Sequence, residues 1–142
     1  MLKTIIQASE NFCIHQIREP HKLIDGDTKK RTLIAYIDID VNDGKKYRVY
    51  LASDLKFMQR VSTLFLEEEE SDEETLIDML LETTNLVVGS AKVIAEEADE
   101  NPYTINTPHF VKLDIFDLEY DQVKIIQVKD DEMIIAIKEI DG

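Results

Sequence analysis

Apolar and polar residues alternate from Thr32 to Val41, with Leu33, Ala35, Ile37 and Ile39 on one face. A period of two marks a half-buried strand. Asn42-Asp43-Gly44 is a hairpin turn signal, and Lys46 to Leu51 reads as the returning strand. The period then lengthens. From Ser53, placed to cap a helix, Leu55, Met58, Val61 and Phe65 recur at helical spacing to about Leu66. A second, longer helix is predicted from about Thr75 to Ala98, with no glycine before Gly89 and no proline before Pro102. Between the two lies Glu67-Glu68-Glu69-Glu70-Ser71-Asp72-Glu73-Glu74. Like charges this close repel one another and stay solvated, so the run reads as a link. Its end suits a helix start, where carboxylates meet the positive end of the dipole, and Ser71 with Glu74 has capping-box spacing. After Pro108 come three strand-like runs, Phe110 to Phe116, Gln122 to Val128 and Met133 to Ile137, separated by polar turns. Upstream, Phe12 to Ile17 reads as a strand, and Glu19 to Arg31, with Pro20, Gly26 and many charges, as a loop.

Strands, two helices, then strands describe an α+β domain with two main helices packed on an antiparallel sheet. The 142 residues suit a single domain, and a hydrophobic share of 44% supplies one continuous core. No apolar run approaches the roughly 20 residues of a membrane span. Met1 to Glu10 lacks the basic and then apolar regions of a signal peptide. Cys13 is the single cysteine, in the apolar stretch Phe12-Cys13-Ile14, and reads as a small core residue with no disulfide partner. Together these features predict a cytoplasmic protein. The net charge of −14 repels phosphate backbones and anionic lipid, which argues against nucleic acid and membrane as partners. It either serves solubility or steers the chain toward a basic face on a partner.

Several chemistries fail on spacing. Asp38, Asp40 and Asn42 begin like a calcium loop, but its sixth position is Asp43 instead of glycine and its twelfth is Val49 instead of glutamate. There is no Walker loop, no Gly-x-Ser-x-Gly elbow and no His-Glu-x-x-His, and His15, His21 and His109 form no ligand cluster by spacing. The long helix is different. Asp78, Glu82, Asn85 and Gly89 fall on one narrow stripe at about 100° per residue. The apolar stripe of Ile77, Leu80, Leu81, Thr84, Val88, Ala91 and Ala95 is centred roughly 120° away around the helix. Glu82 and Asn85 then project side by side, about 4.5 Å apart along the axis. Acidic residues on an exposed helix face are ordinary solvation. Asparagine in mid-helix is not, because its side chain competes with the backbone, and Gly89 costs roughly 1 kcal/mol relative to alanine. Two helix-unfavourable residues on one exposed stripe point to function, and the glycine leaves room for another surface to come close.

The stripe and Pro108 carry a resemblance. Asp78, three residues, Glu82, two residues, Asn85, twenty-two residues, Pro108 is similar to the signature of the CheC/CheX chemotaxis phosphatases and their flagellar relative FliY. At roughly 5% per residue type, a chain of this length matches by chance on the order of once in a thousand. The resemblance covers about residues 31 to 139. Only one motif is present: the first helix offers Ser53-x3-Phe57-x2-Arg60, with Phe and Arg where Glu and Asn would stand. The chain therefore looks closer to single-motif CheX, although residues 1 to 30 read as strand and loop where the family opens with a helix. The resemblance implies a phosphatase acting on the aspartyl phosphate of a CheY-like receiver. In it Asn85 orients the attacking water and Glu82 pairs with the receiver lysine. Asp78, Gly89 and Pro108 take supporting parts, Pro108 fixing the start of a strand. It implies no metal or cofactor bound by the chain, since the receiver supplies Mg²⁺. It also implies a homodimer paired through strands, for which the apolar run Met133 to Ile137 is the expected contributor. The alternative is a non-catalytic binding module of the CheC/FliY kind in a chemotaxis or flagellar assembly.

Overall fold

The computed structural model of the chain describes residues 2–26, 29–98 and 102–140. Its long strands are those the alternation predicts: β2 (Arg31–Val41) and β3 (Lys46–Asp54), joined by the 42–45 turn, then β6 (Gln122–Val128) and β7 (Asp131–Ile140). Two short strands, β1 (Lys22–Ile24) and β4 (Tyr103–Ile105), and the edge strand β5 (His109–Ile115) complete a seven-stranded antiparallel sheet. Its order is β1-β6-β7-β3-β2, with β4 and β5 pairing successive stretches of the far side of β2.

Among the described residues the two main helices, α2 (Leu55–Leu66) and α3 (Glu73–Glu97), cover one face together with a further helix, α1 (Leu2–Phe12). The predicted strand at Phe12–Ile17 is the end of α1 followed by a π-helical turn, Cys13–Ile17, closed by Arg18 in the left-handed region. A short apolar run does not distinguish helix from strand. The longer pattern does: Leu2, Ile5, Ile6, Ser9, Phe12 and Cys13 are buried at helical spacing. The expected absence of an opening helix is thereby corrected, and the 19–31 loop contains β1.

Caps also differ in detail. Asp54, not Ser53, caps α2 by accepting from the Phe57 N–H at 2.6 Å. Asp72 caps α3 through the Thr75 N–H at 2.8 Å, and the Thr75 hydroxyl together with that N–H holds its carboxyl below the ordinary range. Ser71 packs back on α2 instead, its hydroxyl 2.5 Å from that of Ser62. On α2, Phe57 is fully buried while Leu55 and Phe65 are exposed, so the inward face is Phe57, Met58 and Val61.

The main core lies between the helices and the sheet face carrying Leu33, Ala35, Ile37, Ile39 and Leu51. The opposite face buries Ile34, Tyr50, Ala52, Ile125, Ile134 and Ala136, overlaid by Phe116 and Leu118 from the crossing between β5 and β6. Strand β7 is internal, hydrogen-bonded to β3 on one side and β6 on the other. Its continuous apolar run is therefore buried on both faces of the sheet. The expectation that Met133–Ile137 offers an edge for pairing is wrong; the apolar run marks the middle of the sheet.

Candidate active site

Helix α3 buries Leu76, Met79, Leu80, Thr83, Thr84, Val87, Val88, Ala91 and Ala95, and turns Asp78, Glu82 and Asn85 to solvent. Thr83 and Thr84 return their hydroxyls to the carbonyls of Met79 and Leu80, each at 2.8 Å, which lets two polar residues sit in the core. Ile77 and Leu81, read from the sequence as core, are only half-buried. Leu81 is half-buried because it lines a groove.

That groove, open and about 710 Å³, is bounded on the helix side by Asp78, Leu81, Glu82 and Asn85, and on the sheet side by Ile105, Asn106, Thr107 and Pro108. The four motif residues, Asp78, Glu82, Asn85 and Pro108, thus meet in one place, although Pro108 is twenty-three positions from Asn85. Chain geometry explains the meeting. β4 pairs with β2 at Ile39 to Val41 and β5 pairs with it from Arg31 to Tyr36, so residues 106–108 bridge the gap beside Ile37 and Asp38. Pro108 has no N–H to give to a ladder, which suits it to this break at a sheet edge, immediately before β5. The hydroxyl of Tyr103 on β4 donates to the Val88 carbonyl of α3 at 2.9 Å and holds the edge against the helix.

Among the described residues, none of the side chains of Asp78, Glu82 and Asn85 has a hydrogen bond or ion pair within the chain. This sets them apart from most other charged positions near a groove. A second open groove, about 720 Å³ between α1 and β6, is lined by Leu2, Lys3, Ile6, Gln7, Gln122 and Val123, together with Glu10 and Lys124, which are already paired with His21 and Asp25. Gly89 does not line the site. Among the described residues a methyl group there would meet only Ile105 Cδ1, at an ordinary 4.0 Å, and none of them requires glycine at that position.

Asn106 and Thr107 were not singled out from the sequence. Asn106 donates from its backbone N–H to the Asp38 carbonyl at 3.0 Å, and from Nδ2 to the same carbonyl at 3.0 Å and to Asp40 Oδ2 at 3.1 Å. Those bonds, with Lys46 beside it, hold the Asp40 carboxyl below the ordinary range. The Asp38-x-Asp40 pair that looked like the start of a calcium loop is used up in this way: Asp38 chelates Arg48 at 2.7 and 2.9 Å, and Asp40 takes Asn106 and Lys46. His109 stands on the other face of the sheet, its ring 5.2 Å from that of Tyr36. Among the described residues no group of three or more His, Cys, Asp or Glu side chains is arranged to hold a metal ion, and no helix is long and apolar enough to cross a membrane.

At the position on α2 corresponding to Asn85, Arg60 is bound to Glu19 and, at 2.6 Å, to Asp131. The corresponding partner of Glu82 is Phe57, which is fully buried. The structure therefore contains one acid–amide stripe over a groove, on α3.

An antiparallel α+β domain with a single such helix defines the class. The chain belongs to the chemotaxis phosphatase CheX family, whose family model matches residues 36–129 and so includes the whole stretch from Asp78 to Pro108. Solved structures of similar fold include chemotaxis protein CheX from Vibrio vulnificus, at 18% identity and TM-score 0.78, covering 96% of this chain and 97% of that one. A CheC-like superfamily protein from Shewanella sp. PV-4 matches at 19% identity and TM-score 0.77, covering 98% and 96%. The CheX–CheY–BeF3–Mg²⁺ complex from Borrelia burgdorferi matches at 16% identity and TM-score 0.68, covering 96% and 97%. At such identities the likeness is one of fold. A search of the curated proteins gives no significant match.

Proposed function

We propose that the chain hydrolyses the aspartyl phosphate of a CheY-like receiver domain, with Asn85 orienting the attacking water and Glu82 pairing with the receiver lysine. The observation that carries this reading is the convergence of Asp78, Glu82, Asn85 and Pro108 on one groove, with both carboxylates and the carboxamide unpartnered. Membership of a phosphatase family and a fold shared with a CheX bound to CheY, BeF3 and Mg²⁺ support it.

The chemistry asks little of the phosphatase. Phosphoryl transfer depends on positioning and on charge stabilisation more than on covalent work by the protein. In this reading Mg²⁺ and the lysine belong to the receiver. Asn85 brings a neutral group that accepts and donates hydrogen bonds without repelling phosphate. Water forms the new P–O bond, the acyl-phosphate P–O bond breaks, and the receiver regains its carboxylate as inorganic phosphate leaves. Glu82, exposed and without a cation of its own, supplies a charge-assisted contact across the interface. Asp78, one turn earlier, adds negative charge along the same line, and Gly89 leaves that line low for an approaching surface. An intact Glu82 and Asn85 favour the enzyme over a non-catalytic module of the same fold.

The homodimer belongs to the same proposal, with its surface moved. Among the described residues β5 is bonded only to β2, and it exposes Val111 and Ile115. Such an edge offers unpaired backbone groups to a second copy.

The test is phosphate release from receivers of the same genome, phosphorylated with acetyl phosphate, by the wild-type chain and by Asn85→Ala. Release that is fast with the first and absent with the second supports the reading; no release from any receiver overturns it.

A further inference from the structure

The helix wall of the groove is fixed by the core and by the Tyr103–Val88 bond, but the opposite wall is a three-residue loop on a sheet edge. Pro108 lacks an N–H, and the backbone ladder with β2 is interrupted between Ile105 and His109. What keeps the loop in place is Asn106. Its backbone N–H and its Nδ2 both donate to the Asp38 carbonyl, at 3.0 Å each, and Nδ2 also reaches Asp40 Oδ2 at 3.1 Å. Asp40 is ionised and steadied by Lys46 at 3.4 Å, which makes the last of these a charge-assisted bond. Next in the chain, Thr107 is exposed on the groove and its hydroxyl has no partner among the described residues.

We infer that Asn106 is a positioning residue of the phosphatase groove: by stapling the loop to β2 it sets where Thr107 and Pro108 stand across from Glu82 and Asn85. The inference rests on the phosphatase reading above. Its two side-chain bonds are spent on β2, so Asn106 acts through its neighbours. A receiver lying over α3 would meet the loop as its second contact, and a displaced wall changes how well the receiver seats more than how Asn85 holds water.

The experiment compares initial rates against a series of concentrations of an acetyl-phosphate-charged receiver. Asn106→Ala and Asn106→Asp are expected to raise KM about tenfold while kcat stays within about threefold, since loss of a held geometry is felt where the geometry is used. Asp40→Asn keeps an acceptor for Nδ2 but loses the charge and is expected to fall between wild type and Asp40→Ala, which is expected to resemble a weaker Asn106→Ala. Urea unfolding of each variant gives its folded fraction. An Asn106→Ala enzyme with wild-type KM, beside an inactive Asn85→Ala, overturns the inference and leaves the phosphatase standing. So does an Asp40→Asn variant as impaired as Asp40→Ala, or a loss confined to kcat that tracks the folded fraction. A wild-type chain that releases no phosphate from any receiver overturns the phosphatase reading and this inference with it.

Discussion

The buried hydroxyl of Tyr103 donates to the carbonyl of Val88 at 2.9 Å, three residues past Asn85 on the same helix. One bond therefore ties the sheet edge, from which the groove loop departs, to the helix that bears the acid–amide stripe. Tyr103→Phe keeps the ring and removes the bond. A loss of about 1 kcal/mol is expected from the urea midpoint and slope. No change in stability would mean that the bond has no net worth in the folded state.

Asn85→Ala is expected to abolish most turnover and to leave the fold at least as stable as wild type. The side chain is exposed and unpartnered, and alanine is the better helix former by about 0.5 kcal/mol. Positioning alone can account for several kcal/mol of barrier. Circular dichroism and phosphate release measured on one preparation separate the two effects. A fully active variant would remove Asn85 from the mechanism.

Glu82→Gln retains shape and loses charge. Affinity for the phosphorylated receiver should fall, and added salt should weaken wild-type binding toward the level of the variant. The measurement is a titration at several salt concentrations. Equal binding by both proteins at every concentration would rule out the pairing with lysine.

How far the sequence reveals this architecture depends on the kind of signal each element carries. β2, β3, α2 and α3 have long, clean periodicity and lie where the pattern places them. α1 is hard to see in the sequence because the short apolar run around Cys13 resembles a strand until the turns before it are counted. β4 leaves no periodic signal because Tyr103–Ile105 is three residues long and owes its strand form to pairing with β2. Helical arithmetic put Asp78, Glu82 and Asn85 on one face. It had no means of placing Pro108 or Asn106 opposite them, since that depends on β4 and β5 docking on the same strand. β7 shows the converse: a continuous apolar run suits a central strand as well as an interface, and only the pairing decides.

Cys13 is buried, and desolvation, with the nearby Glu10 charge adding to it, pushes its thiol up to about 12. The unfolded chain loses that proton at about pH 8.5. The unfolded state then binds fewer protons than the folded one, so this contribution to stability is fully present below about pH 8.5 and is lost as pH rises toward the folded value. A thiol reagent at pH 8 should label the native protein only as fast as it opens, and the urea-unfolded protein at once. Rapid labelling of the native chain would contradict the burial.

Light scattering at tens of micromolar is expected to give about twice the 16.4 kDa of one chain. Val111→Lys on β5 should shift the mass toward one chain, since a charge on an edge strand discourages pairing. A wild-type mass near 16.4 kDa would reject the dimer.

The Arg60 ion pairs bear on whether α2 could carry a stripe like that of α3. A second stripe on α2 would need only Phe57→Glu and Arg60→Asn, but each is costly here. Phe57→Glu would drive a carboxylate into a position with no exposure to solvent. Arg60→Asn would strand Asp131, which is 7% exposed, without its cation. Each step taken alone is expected to lower stability. Installing such a stripe would therefore require rebuilding the contact that Arg60 makes from α2 to Glu19, beyond the π-helical turn, and to Asp131 at the start of β7.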